Sequence, residues 1–106
     1  MSYVLLVDDE DDILDVLELV VQTVTTHKVV KAYSGHQALD EISRSGKPSL
    51  VVSDYSMPNG DGLFLYRELL VIGPDVPFIL CTANPKDQLK EFFPNLNRFI
   101  QKPYMM

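Results

Sequence analysis

The sequence is short of several features that would assign it to a narrow class. It has one cysteine, Cys81, so no disulfide can form within the chain, and a reducing compartment is expected. Nine Lys and Arg residues stand against fifteen Asp and Glu, a formal net charge of −6. That balance argues against nucleic acid as a partner, since binding it needs a basic face. No apolar stretch approaches the ~20 residues needed to span a bilayer. The opening MSYVLLVDDE has neither the basic start, nor the long apolar segment, nor the small-residue cleavage site of a secretory signal. Repeats, linkers and low-complexity tracts are missing as well. The expectation is a cytoplasmic protein that contacts neither membrane nor nucleic acid.

What remains is ordinary globular material. A chain of 106 residues makes one domain with a small core. Its 46% hydrophobic and 23% charged residues are typical of soluble domains.

Two kinds of hydrophobic period alternate along the chain. Short apolar runs at Tyr3–Val7, Val29–Ala32, Leu50–Ser53, Pro77–Cys81 and Phe99–Gln101 read as strands. Between the first two, Asp12–Thr25 carries Ile13, Val16, Leu17, Val20, Val21 and Val24 at helical spacing, with Leu14 and Leu19 off that stripe. Ser34 followed by Gln37 fits a capping box for a helix with Ala38, Leu39 and Ile42 on its apolar side, ended by Gly46 and Pro48. From Gly62, the positions Leu63, Tyr66, Leu69 and Leu70 predict a third helix, stopped at Gly73–Pro74. Pro85–Phe93 is a short helix at most. Strands alternating with helices predict βαβ units, a parallel sheet and helices on both faces. Right-handed crossovers reduce the topology to a few doubly wound orders.

In such sheets ligands bind beyond the carboxyl ends of the strands. Those ends carry Asp8 and Asp9, then Asp54, Thr82 and Lys102. Three carboxylates close together repel, and a hard cation with oxygen ligands relieves the repulsion. Mg²⁺ suits few carboxylates, several waters and a phosphate oxygen. Asp54, set between an apolar strand and the turn-rich segment SMPNGDG, could then attack a phosphoryl group. Lys102 would balance its charge and Thr82 would donate a hydrogen bond.

These residues resemble the receiver domain of two-component response regulators, over Tyr3 to Pro103. LLVDDE is similar to the family's first strand and acidic pair, and by that match Asp9 binds the metal directly and Asp8 through water. VVSDYSMPNGDG is similar to the phosphoacceptor strand and loop. It implies an aspartyl phosphate on Asp54 and a metal contact from the backbone carbonyl of Ser56. LCTA makes Thr82 the switch hydroxyl, and FIQKP makes Lys102 the phosphate-contacting lysine, with Phe99 as the rotating aromatic and a cis Lys102–Pro103 peptide. The resemblance implies a flavodoxin-like α/β fold, a five-stranded parallel sheet of order 2-1-3-4-5. It also implies phosphoryl transfer from a sensor histidine kinase or phosphotransfer protein, dependent on Mg²⁺ with Mn²⁺ as a substitute. The protein would not be an enzyme beyond its own phosphorylation and dephosphorylation.

Two departures from the family pattern stand out. Ser56 replaces larger polar residues often found there, a position that affects dephosphorylation. The family also continues beyond Lys-Pro into a fifth helix, where this sequence has KPYMM. A single receiver domain over 1–106, without an output domain and without its last helix, is the expectation. Val4, Leu6 and Ile100 would then line a bare sheet face, and Leu14 and Leu19 would help the first helix cover a second copy in a homodimer. The competing expectation is that Tyr104, Met105 and Met106 fold back over the gap.

Plainer readings apply to the same residues. Asp8–Asp12 also suits a solvated loop leading into the positive end of a helix. Asp54 also suits a turn cap, Thr82 a strand end, Lys102 the surface and Phe99 the core. Cys81 reads as a small buried side chain, and the isolated His27 and His36 as non-functional. An aspartate-nucleophile phosphatase would need an acid two residues after the nucleophile, where Ser56 stands. A receiver-shaped interaction module that is never phosphorylated would not need the acidic pair, Asp54 and Lys102 together.

Overall fold

A computed structural model describes residues 3–55, 61–82 and 98–101, with the last strand and Thr82 described by their backbone. The elements run β1 (Tyr3–Val7), α1 (Asp11–Val24), β2 (Lys28–Ala32), α2 (Gly35–Ser45), β3 (Leu50–Asp54), α3 (Gly62–Ile72), β4 (Phe78–Thr82) and β5 (Arg98–Gln101). All pairings are parallel, in the order β2-β1-β3-β4-β5. The parallel α/β sheet expected from the alternating periods is present. Ser56, Lys102, the Lys102–Pro103 peptide, the helix expected over Pro85–Phe93 and Tyr104–Met106 lie outside the described residues, as does the side chain of Ile100.

The helix ends follow local chemistry. Ser34 Oγ accepts from the Gln37 N–H at 3.1 Å, and Gln37 Oε1 accepts in return from the Tyr33 N–H at 2.6 Å. The box closes one residue before the cap, but it serves the same purpose of satisfying free donors. Asp61 caps α3, its carboxylate accepting from the Phe64 N–H at 2.9 Å. Glu10 starts α1 without a side-chain cap, and Asp11 and Asp12 place negative charge in the first turn. Gly46 ends α2 with φ +84°, a left-handed conformation that favours glycine, and its carbonyl accepts from the Tyr3 hydroxyl at 2.6 Å.

Alternation along β1 divides the core. Tyr3, Leu5 and Val7 join Ala38, Ile42, Leu65, Tyr66 and Leu69 under α2 and α3. Val4 and Leu6 join Leu14, Val52 and Cys81, with Leu17, Val21, Val29 and Ile79 around them, under α1. A strand buried on both sides is why YVLLV reads as an unbroken apolar run.

The structure corrects two expectations here. Val4 and Leu6 are buried, not bare, because α1 lies over them. The rotation of α1 also differs from the stripe read in the sequence. Leu14 is its fully buried residue, with Leu17 and Val21 completing the sheet-facing row, while Leu19 is 63% and Val24 72% exposed. A helix apolar over more than half its circumference does not announce its inner face. Two ion pairs on its β2 side help to choose it: Lys31 Nζ lies 3.1 Å from Asp15 and 2.8 Å from Glu18. Those bonds, Glu18 first and then Asp15, hold the Lys31 ammonium above its ordinary pKa of 10.5. The ammonium therefore keeps its proton through neutral pH and gives it up as the solution becomes strongly alkaline.

The rotation is testable by urea unfolding. Leu14→Ala should cost about 2–5 kcal/mol. Leu19→Ala should cost no more than about 0.5 kcal/mol. Equal costs would place the inner face of α1 elsewhere.

Candidate functional site at the carboxyl edge of the sheet

β1 ends at Val7, but its ladder runs one residue further, the Asp8 N–H donating to the Ala32 carbonyl at 3.1 Å. That bond seats Asp8 at the sheet edge, where it is 0% exposed. Its Oδ1 accepts from the Glu10 N–H at 3.0 Å, which turns the chain sharply toward α1. The turn gathers acids: carboxylate oxygens of Asp8, Asp9 and Glu10 lie within 4.8 Å of one another. Asp9 and Glu10 are exposed.

Asp54 closes β3 and is 7% exposed. Val7 pairs with Ser53, so Asp8 and Asp54 follow side by side on neighbouring parallel strands. The residues after Asp54 are held from two directions. The Tyr55 N–H donates to the Cys81 carbonyl at 3.0 Å, and the Tyr55 carbonyl accepts from the Gly62 N–H at 2.8 Å. The Ser53 hydroxyl donates to the Asp54 carbonyl at 2.9 Å. Thr82 ends β4 opposite Gln101, the residue before Lys102, and Phe99 pairs with Leu80. The backbone therefore brings Asp8, Asp9, Asp54 and Thr82 to one edge, and Phe99 to a strand beside it.

Glu10 and Tyr33 belong to this edge but were not singled out from the sequence. Glu10 sits inside the acidic run, with nothing in its spacing to separate it from Asp11 or Asp12. The Tyr33 phenol hydrogen-bonds Asp11, tying the loop after β2 to the start of α1, a contact between positions far apart in the chain. That bond, followed by the charge of Asp11, raises the phenol above its ordinary pKa of 10. A cleft of about 190 Å³ lined by Tyr66, Leu69, Gly73, Val76 and Phe78 lies at the opposite, amino edge, between the end of α3 and the start of β4. It holds none of these groups.

Residues 4–106 match the family model for the response regulator receiver domain. The chain belongs to that family. Receiver domains act in two-component signalling with sensor histidine kinases. The chain is 34% identical over 85 residues to the uncharacterized transcriptional regulatory protein YesN of Bacillus subtilis, covering 78% of this chain and 23% of YesN. Against the response regulator SaeR of Staphylococcus aureus, identity is 28% over 106 residues, covering 98% of this chain and 45% of SaeR. The chain thus spans less than half the length of either relative. Among solved structures, the chemotaxis protein CheY4 of Vibrio cholerae superposes with a TM-score of 0.88 at 21% identity, covering 99% of this chain and 89% of that one. At that identity the likeness speaks for the fold, which is flavodoxin-like. No helix among the described residues is long and apolar enough to cross a membrane.

Ultraviolet titration of the receiver domain tests the Tyr33 contact. A phenol with a raised pKa favours the fold below pH 10 and loses that contribution as pH climbs through the folded value. Asp11→Asn should bring Tyr33 back toward 10 and leave Tyr3, raised chiefly by burial, unmoved.

Proposed function

We propose that this receiver domain is a phosphoacceptor, with Asp54 the residue modified. Its carboxylate oxygen attacks the phosphorus of a phosphohistidine on a sensor kinase or phosphotransfer protein. The P–N bond breaks, the pair returns to the imidazole nitrogen, and an acyl phosphate remains on Asp54. The observation that carries this reading is the placement of a nearly buried aspartate at the end of β3, beside the buried Asp8 at the end of β1.

A divalent cation fits the donors present. They are carboxylates, one of them fully buried and within 4.8 Å of two others, and such a set favours a hard ion over a soft one. Asp8, Asp9, Asp54 and the carbonyl of Ser56 would hold Mg²⁺, or Mn²⁺ in its place. When bound, the ion would neutralise charge on the phosphoryl oxygens. Lys102 would contact the phosphoryl group, and Thr82 would turn toward it. Phe99 would follow Thr82 and alter the surface presented to a partner. The site acts on its own aspartate and not on a separate substrate, so the domain is a switch and not an enzyme in the usual sense. Ser56 in place of a second acid weighs against a phosphatase, and the cytoplasm is where kinase and receiver would meet.

Incubation with Mg²⁺ and a small acyl phosphate should raise the intact mass by one phosphoryl group, and Asp54→Asn should abolish the gain. Asp9→Ala should weaken metal binding more than Asp8→Ala. Equal labelling of Asp54→Asn would overturn the assignment.

Self-association retains one support after the correction to the sheet face. Leu19, Val20 and Val24 stay exposed on α1, and Val20 and Val24, four residues apart, share a face. A second copy would cover that flank. Light scattering at micromolar concentration should then give twice the 12.0 kDa of the chain, and Val20→Glu with Val24→Glu should halve it. A 12.0 kDa species from the unaltered chain would reject the dimer.

A further inference from the structure

We infer that Gly62 is a positioning residue for Asp54, an inference that rests on the phosphoacceptor reading. Gly62 opens α3 and is buried. Its backbone is not in the left-handed region; among the described residues, Gly46 is the glycine that is. A helical position of this kind is ordinarily better served by alanine, which loses less entropy on ordering. The reason for glycine is therefore not its own dihedral angles. It lies in what a side chain would meet. A Cβ at position 62 would sit 2.5 Å from the carbonyl oxygen of Asp54, 3.0 Å from the Cα of Tyr55 and 3.2 Å from Cδ1 of Leu80.

The two closest atoms belong to backbone and cannot swing aside as a side-chain tip can. They are also already committed. The Asp54 carbonyl accepts from the Ser53 hydroxyl. Tyr55 is held to Cys81 on one side and to Gly62 on the other. A methyl group at 62 leaves two ways out. Either the start of α3 lifts and the Gly62 N–H leaves the Tyr55 carbonyl, or the Asp54–Tyr55 peptide turns. Both re-aim the Asp54 side chain relative to Asp8, while most of the core stays in place. Gly62 thus lets the helix start pack directly on the acceptor's own peptide and hold its carboxylate at one angle.

The test compares Gly62→Ala with Gly46→Ala. The second substitution strains a left-handed residue but meets nothing within 4 Å and lies in the turn after α2. Both variants and the unaltered chain are labelled with Mg²⁺ and acetyl phosphate, and rates are corrected for the folded fraction from circular dichroism. The expected result is a maximal labelling rate about 10- to 100-fold lower for Gly62→Ala. The donor concentration at half-maximal rate should stay unchanged, and Gly46→Ala should label at the normal rate. Adding Leu80→Val, which trims the one side-chain contact, should not restore Gly62→Ala.

Normal labelling of folded Gly62→Ala, equal slowing of Gly46→Ala, or recovery through Leu80→Val would each overturn the inference. If Gly62→Ala is unfolded, the comparison is repeated with trimethylamine oxide, which favours the compact state. A variant still unfolded there would make Gly62 a residue of the fold and reject the positioning role. Should the unaltered chain itself fail to label, the phosphoacceptor reading falls. The positioning role is then judged on amide chemical shifts, which must move at Ser53–Tyr55 more than in the second and third turns of α3.

Discussion

The pairing of β1 with β3 is the constraint on which the site depends. Val7 beside Ser53 sets two strands in parallel, and both continue into aspartate at the same edge. A sequence that ended either strand one residue earlier would exchange the faces of its side chains, because their period is two. It would then separate the carboxylates. Burial on both faces is what makes this register firm. β1 has no solvent side to slip toward, and its two rows of side chains belong to different cores under different helices.

The same burial sets up an electrostatic conflict at the edge. Asp8 is fully covered, with the carboxylates of Asp9 and Glu10 close by. Like charges held this close repel one another. The backbone hydrogen bond from Glu10 and the positive end of α1 offset part of this, since Asp8–Glu10 lead directly into that helix. The proposed cation would offset more.

Much of the fold was legible because strong local signals agreed. Turn chemistry at Ser34–Gln37, at Gly46 and at Gly73–Pro74 bounded the helices to within a residue or two. The unbroken apolar run of β1 and its terminal acids placed the site at one edge. The inner face of α1 was not legible, since Ile13, Val16 and Val20 compete with Leu14 on a helix with apolar residues on several sides. Tertiary contacts decide that case: the Lys31 ion pairs and the fit of Leu14 over Val4 and Leu6. The Tyr33–Asp11 contact was invisible for a related reason, as it joins the loop after β2 to the start of α1 through the fold. Gly62 could be seen in the sequence as a helix start, but its contact with Asp54 needs the backbone geometry.

In the function proposed above, the carboxyl edge works as one charged site built around Asp8 and Asp54. Titration of the isotopically labelled protein with Mg²⁺, followed by amide chemical shifts, tests it most directly. Movements should concentrate at Asp8–Glu10, Asp54, Tyr55 and Thr82, with Lys28, Leu50 and Phe78 at the amino ends of β2, β3 and β4 unmoved. Loss of these movements in Asp54→Asn together with Asp9→Ala is also predicted. Shifts spread evenly over the exposed acids, or centred at the amino edge, would contradict it.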